Sequence, residues 1–215
     1  MFKKLLFLIA GITLSVNGIT QAQELIQISD TQTWTTFEEG GFDANETLQI
    51  MAGGHLTITE RCGIVAGRAL LVEEGGLFTM PARLDTDSRG VIIMNGGEFH
   101  NTVDMKFTDS KGDQDCHIWL YGGLMVCERI EADKTRNAWF HLGGGVVRVG
   151  QATQHFRNCP CNDEMWGILM IPPYEDYVVI DVGNDWRELR ALPPSPYDGE
   201  KDVQRDTVIS WPPGK

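Results

Sequence analysis

The chain is short of positive charge. Lysine and arginine number 18 in 215 residues against 30 aspartates and glutamates, a formal net charge of −12. That balance repels phosphate backbones and anionic surfaces, so nucleic acid is excluded as a partner. The chain also lacks a long apolar run. Leu5 to Ile12 is too short to span a bilayer, and Asn17 and Gln21 interrupt its far side. Cysteine is scarce and odd in number, five in all, and only the Cys159-Pro160-Cys161 pair is close. No second pair stands at zinc-finger spacing and His155 is the sole nearby imidazole, so a zinc site is not indicated. No serine or cysteine nucleophile stands at a recognisable spacing from a base. Function is therefore not written in a catalytic motif.

What the chain does have is a paired glycine that returns inside short apolar segments: Gly53-Gly54, Gly75-Gly76, Gly96-Gly97, Gly122-Gly123 and Gly144-Gly145. The second glycines are spaced by 22, 21, 26 and 22 residues. A period of that size marks a solenoid, whose units are too small to bury an apolar face without a neighbour. Two places beyond each second glycine stand Leu56, Phe78, Phe99, Met125 and Val147; four places beyond stand Ile58, Met80, Asn101, Cys127 and Val149. Between them lie Thr57, Thr79, His100, Val126 and Arg148. This period of two predicts strands with one buried face, and glycine pairs in every unit argue against helical repeats. Cys127, in an inward column, reads as a small buried apolar residue.

The segments before the glycines are apolar on nearly every residue, so their register is not fixed by pattern. A third segment follows in several units, at Cys62 to Ala66, Ala82 to Leu84, Val103 to Phe107 and Arg129 to Ala132. Three short strands per unit predict an all-β parallel β-helix of about five to seven coils with Gly-Gly bends. The competing architecture is an antiparallel sandwich with glycine-rich hairpins; in-phase columns across five units favour the solenoid. The longest unit inserts polar residues at Thr108 to Asp115, expected to bulge outward as a loop.

Residues 1–22 read as a secretory signal, with Lys3 and Lys4 at the basic end, an apolar run, and Thr20-Gln21-Ala22 before a cut. Its removal takes the net charge from −12 to −14, since only two lysines and no acids are lost. Export with no membrane insertion after cleavage is the expectation. Residues 23–45, with Trp34, Phe37 and Phe42, are expected to cap the first coil, and 46–192 to form the solenoid. Within the latter, Tyr177 to Val182 reads as a strand, while Trp186 to Leu192 fits either a helical turn or a final strand. Residues 193–215 are a proline-rich linker and a lone strand, Thr207 to Trp211, too little for a domain.

The repeats GGHLTI, GGLFTM and GGEFH, then a W-x-x-x-M-I segment and a YVVID strand, resemble the β-solenoid modules of large secreted bacterial surface proteins. The tail YDGEKDVQRDTVISWPPGK is similar to the opening of a fibronectin type III or immunoglobulin-like module, in which Trp211 is the buried tryptophan of the second strand. The resemblance implies a structural or adhesive surface module, often continued by sugar-binding modules.

Two readings of function follow. The first is a non-catalytic module, structural, adhesive or carbohydrate-interacting, whose partners are polysaccharides or other cell-surface components. The alternative is a polysaccharide lyase or hydrolase of the parallel β-helix type, which needs calcium with a basic residue, or paired carboxylates. Asp85, Asp87 and Asp104, near Arg83, Arg89 and Lys106, are expected to form a solvated rim. Asp109, Asp113 and Asp115 are the candidate calcium ligands, although their order is not that of an EF-hand loop. No other cofactor is expected. Trp119, Tyr121 and Trp139 are the candidate stacking residues for a sugar, provided they face outward; the competing reading, which the sequence favours, places Trp119 and Trp139 partly in the core. His55, His100, His117 and His141 fall at different offsets from the glycines, which reads as scattered surface histidines.

Overall fold

A computed structural model describes residues 24–64, 67–86, 89–107, 116–132, 138–150 and 166–193. In it the period-two pattern after each glycine pair becomes a stack of parallel strands. The first rung carries β1 (Leu25–Ile28) and β2 (Thr31–Trp34). The next carries β3 (Thr47–Ile50), β4 (His55–Ile58) and β5 (Cys62–Ile64), and the one after it β6 (Ala69–Glu73), β7 (Leu77–Met80) and β8 (Leu84–Thr86). Then come β9 (Val91–Asn101) with β10 (Met105–Phe107), β11 (Cys116–Cys127) with β12 (Ile130–Ala132), and β13 (Ala138–Leu142) with β14 (Val146–Val149). Last are β15 (Trp166–Met170), β16 (Tyr177–Gly183) and β17 (Trp186–Ala191). The result is a β-solenoid of about 5 turns, with no helix among the described residues.

The coils from β3 to β12 wind over three faces. The first face stacks β1, β3, β6, the leading halves of β9 and β11, then β13 and β15. The second stacks β2, β4, β7, the trailing halves of β9 and β11, and β14. The third stacks β5, β8, β10 and β12. Because β9 and β11 run through the glycine corner unbroken, the first two faces join as one sheet.

Every residue of the two predicted columns is buried, from Leu56 to Val147 and from Ile58 to Val149. On the first face the inward columns are Leu48, Leu70, Ile92, Ile118 and Phe140, and Ile50, Val72, Met94, Leu120 and Leu142, all fully buried. Burial of such side chains contributes about 1.5–3 kcal/mol each, and a coil reaches it only when the next coil covers it. Asn101 is the polar member of its column. Its Nδ2 donates to the carbonyls of Met80 at 3.3 Å and Ala82 at 2.8 Å, which ties two coils together at the turn.

The corner itself changes partway along the stack. Six positions separate the inward residues Ile50 and Leu56, and Val72 and Phe78, whereas five separate Met94 and Phe99, Leu120 and Met125, and Leu142 and Val147. The loss falls between the pairs Glu73–Gly96 and Leu77–Glu98, where Glu74, Gly75 and Gly76 face Gly97 alone; the double pairing of Glu73 with Asn95 and Gly96 restores one of the two. An odd change of one flips the parity of a strand counted from its glycine.

At the leading end, residues 24–45 form the rung β1–β2 and then a loop that folds Phe37 and Phe42 fully inside. Phe37, Phe78 and Phe99 continue as stacked rings, 6.2 Å and 5.0 Å between centroids. The buried guanidinium of Arg68 lies over Phe37 and Phe42 and donates to Glu38 and to the Gly63 carbonyl, which fastens this loop to the next coil. At the trailing end, β17 pairs antiparallel with β14, and β16 with β17. Trp186 to Ala191 is thus a strand, with Leu189 buried against the column of Val147. Asn184 and Asp185, at φ 54° and 63°, form the two-residue bend of that hairpin. The loop Thr108 to Asp115, the Cys159–Cys161 pair, and the tail from 194 onward lie outside the described residues.

Candidate functional site

The outward residues of the first face follow from its register. Trp119 stands between Ile93 on one neighbouring strand and His141 on the other. His117 stands between Val91 and Trp139 in the adjoining outward column. Strand separation of about 4.8 Å brings such neighbours into ring contact. Trp119 and His141 lie face to face, while Trp119 and Tyr121, two places apart on β11, have centroids 6.0 Å apart and planes 13° from parallel. His117 Nδ1 and His141 Nε2 are 2.9 Å apart, one donating and the other accepting. Burial, with His117 as a second cause, pushes the His141 imidazole down to about 4, so it is neutral at ordinary pH.

Trp119, Tyr121 and Trp139, the three stacking candidates, therefore share one outer face. They do not all offer an open ring. Trp119 is covered on one side by His141. Trp139 lies against Gly167, where an added Cβ would sit 1.8 Å from its ring, so the two fit only because Gly167 has no side chain. Tyr121 differs. The Gly143 and Gly144 amides donate to the Leu120 and Tyr121 carbonyls, continuing the ladder, so the next coil places glycine opposite the phenol. On the other side the ladder shifts register beside Asn95. Tyr121 is 50% exposed as a result.

A polar ladder leads along the same face toward Tyr121. Gln27 Nε2 donates to Gln49 at 2.9 Å, Gln49 Nε2 to Glu73 at 2.7 Å, and Asn95 Nδ2 to the second Glu73 oxygen at 3.1 Å. Each amide nitrogen has two hydrogens, and the ladder uses one at Gln49 and one at Asn95. The face thus combines a half-exposed aromatic ring with a file of amide and carboxylate groups at the coil spacing.

The other candidates are consumed structurally or lie elsewhere. Asp85 takes Arg61 and Arg83, each at 2.6 Å, and Asp104 takes Arg129 at 3.2 Å, so these carboxylates link coils on the third face. His55 bonds Thr79 and His100 bonds Glu98 on the second face, away from the His117–His141 pair. Asp109, Asp113 and Asp115 lie outside the described residues, as does Asp87. Among the described residues no three His, Cys, Asp or Glu converge on one point. A groove of about 490 Å³ lies outside the second face, walled by His100, Val126 and Arg148 and by Val182, Asn184 and Trp186 of the hairpin. Its cation is already engaged: Arg148 and Arg190 both donate to Glu188. Burial pushes the Glu188 carboxyl up, but those guanidinium bonds outweigh it and hold it below the usual carboxylate value.

Sequence reasoning missed the coupling of His117 and His141. Their offsets from the second glycine, six and four places upstream, have the same parity and occur in adjacent coils; that was the signal. Comparison of the chain with protein-family models, curated proteins and solved structures returns no match.

Proposed function

We propose that this chain is an exported, non-catalytic cell-surface module whose first face binds polysaccharide. The single observation that carries the reading is the ring of Tyr121, half exposed and opposed by glycine. A pyranose stacks its apolar face on such a ring while its hydroxyls meet the amides and carboxylate of the Gln49–Glu73–Asn95 ladder. The secretory signal in residues 1–22 supports export, and the tail at 197–215, similar to the start of an immunoglobulin-like module, supports a place in a larger surface assembly.

The test is affinity electrophoresis through gels containing neutral and acidic polysaccharides. At least one polymer is expected to retard the protein, with Tyr121→Ala weakening binding roughly tenfold. Since Tyr121 is half exposed, that variant should keep its melting temperature. Retardation by none of the polymers, or retardation indifferent to Tyr121→Ala, would reject the proposal. Depolymerisation by the wild type, abolished by Asp109→Ala or Asp113→Ala, would replace it with the lyase or hydrolase reading.

A further inference from the structure

We propose that His117 and His141 form a two-imidazole site for a divalent transition metal of square-planar preference, Cu²⁺ above all. The inference stands apart from the polysaccharide reading and rests on the spacing and placement of the two rings. Their nearest nitrogens, Nδ1 of His117 and Nε2 of His141, are 2.9 Å apart on neighbouring strands of the outward face. Two nitrogens bound about 2.0–2.1 Å from one ion lie about 2.9 Å apart when they subtend a right angle, and about 3.4 Å apart at a tetrahedral angle. The observed separation equals the square-planar edge, and the tetrahedral edge that Zn²⁺ prefers is about half an ångström longer.

The arrangement is also held in place before the ion arrives. Main-chain pairing fixes Trp119 opposite His141 and His117 opposite Trp139, and the indole of Trp119 lies flat on the His141 ring with centroids 3.5 Å apart. Such support limits the ordering needed on binding. In the metal-free pair one N–H···N hydrogen bond joins the rings. On binding, the bridging proton moves to the far nitrogen of its own ring, both facing nitrogens present lone pairs, and no proton need leave the protein. Among the described residues no third His, Cys, Asp or Glu joins the pair.

The experiment uses the full mature chain without an affinity tag, titrated with CuCl₂ in a non-chelating buffer. Calorimetry should give one saturable site per chain, and electron paramagnetic resonance should show hyperfine coupling to two nitrogens. Trp119 fluorescence should be quenched along the same isotherm, because its ring touches a ligand ring. His117→Gln and His141→Ala should each weaken binding at least tenfold, and His55→Ala with His100→Ala should leave it unchanged. Tyr121→Ala should also leave it unchanged, which separates this site from saccharide stacking. If His141→Ala fails to fold, His117→Gln with the two-nitrogen signature decides alone. No saturable site, binding indifferent to His117→Gln, or tighter binding of Zn²⁺ than Cu²⁺ would each overturn the proposal.

Discussion

The rings of Trp119 and His141 lie face to face, with centroids 3.5 Å apart and planes 7° from parallel. The stack and the neighbouring His117 keep His141 from water, and burial pushes its imidazole from the ordinary 6.5 down to about 4. Folded, it binds a proton less readily than unfolded, so between those values the unfolded chain holds more protons. Its contribution is therefore full above about 6.5, falls as the pH drops through the window, and levels off below about 4. His141→Phe keeps a ring on Trp119 but cannot titrate. The melting temperature of the wild type minus that of this variant should fall on acidification from pH about 6.5 to about 4. A difference that stays flat across the window would contradict the depressed imidazole.

The downstream half of each coil was legible in the sequence and the upstream half was not. Counting from the second glycine places Leu56, Phe78, Phe99, Met125 and Val147 inward, and all five are buried. Counting backward fails because the corner sheds a residue between Glu73 and Leu77. Leu48 and Leu70 sit six places before their glycine and point in, while His117, also six before, points out. A glycine frame thus gives opposite faces for the same offset. That is why Trp119, Tyr121 and Trp139 stayed undecided between core and surface, and why the histidines looked scattered. Only strand register, a long-range property, resolves them.

Glycines with a left-handed backbone should divide by what an added Cβ meets. At Gly123, with φ +82°, it would lie 2.1 Å from the Gly97 carbonyl oxygen of the coil below. Gly41, with φ +75°, has nothing within 4 Å. Gly41→Ala should cost about 1–2 kcal/mol, the left-handed backbone alone. Gly123→Ala adds a backbone clash in a close-packed stack and should cost several kcal/mol or prevent folding (about 1–3 kcal/mol for overpacking on top of the conformational part). Urea denaturation of both variants checks the order; equal costs would mean the coils separate easily at that corner.

Asn101 separates hydrogen bonding from burial in an inward column. Asn101→Ala removes the donor to the Ala82 carbonyl and leaves a small hole. The Met80 carbonyl keeps the Thr102 amide at 3.1 Å, so a single acceptor is orphaned and the expected loss is about 1–3 kcal/mol. Asn101→Leu orphans the same acceptor but fills the column and removes a buried Oδ1 that has no partner. Its gain of about 1.5–3 kcal/mol from apolar burial should nearly cancel the loss. If both variants are equally destabilised, the bond to Ala82, rather than packing, sets the turn.

The boundary between solenoid and tail can be placed by truncation. β17 is paired on both edges, to β14 and to β16, and Leu189 is buried against the inward column. The Leu192 amide still donates to the Asp176 carbonyl at 2.8 Å, so the closing hairpin is fastened up to that residue. Pro193, Pro194 and Pro196 follow, and successive prolines cannot extend the ladder because they lack the amide hydrogen. Deleting everything after Leu192 should therefore shift the thermal midpoint by only a few degrees. Deleting everything after Ile171 removes β16 and β17 as well, uncovers Val147 and Val149, and strips Arg148 of Glu188. That longer truncation should lower the midpoint far more, since it exposes an inward column and a free strand edge. If the shorter truncation already unfolds the chain, residues beyond Leu192 pack on the solenoid, and the boundary at Pro193 is wrong.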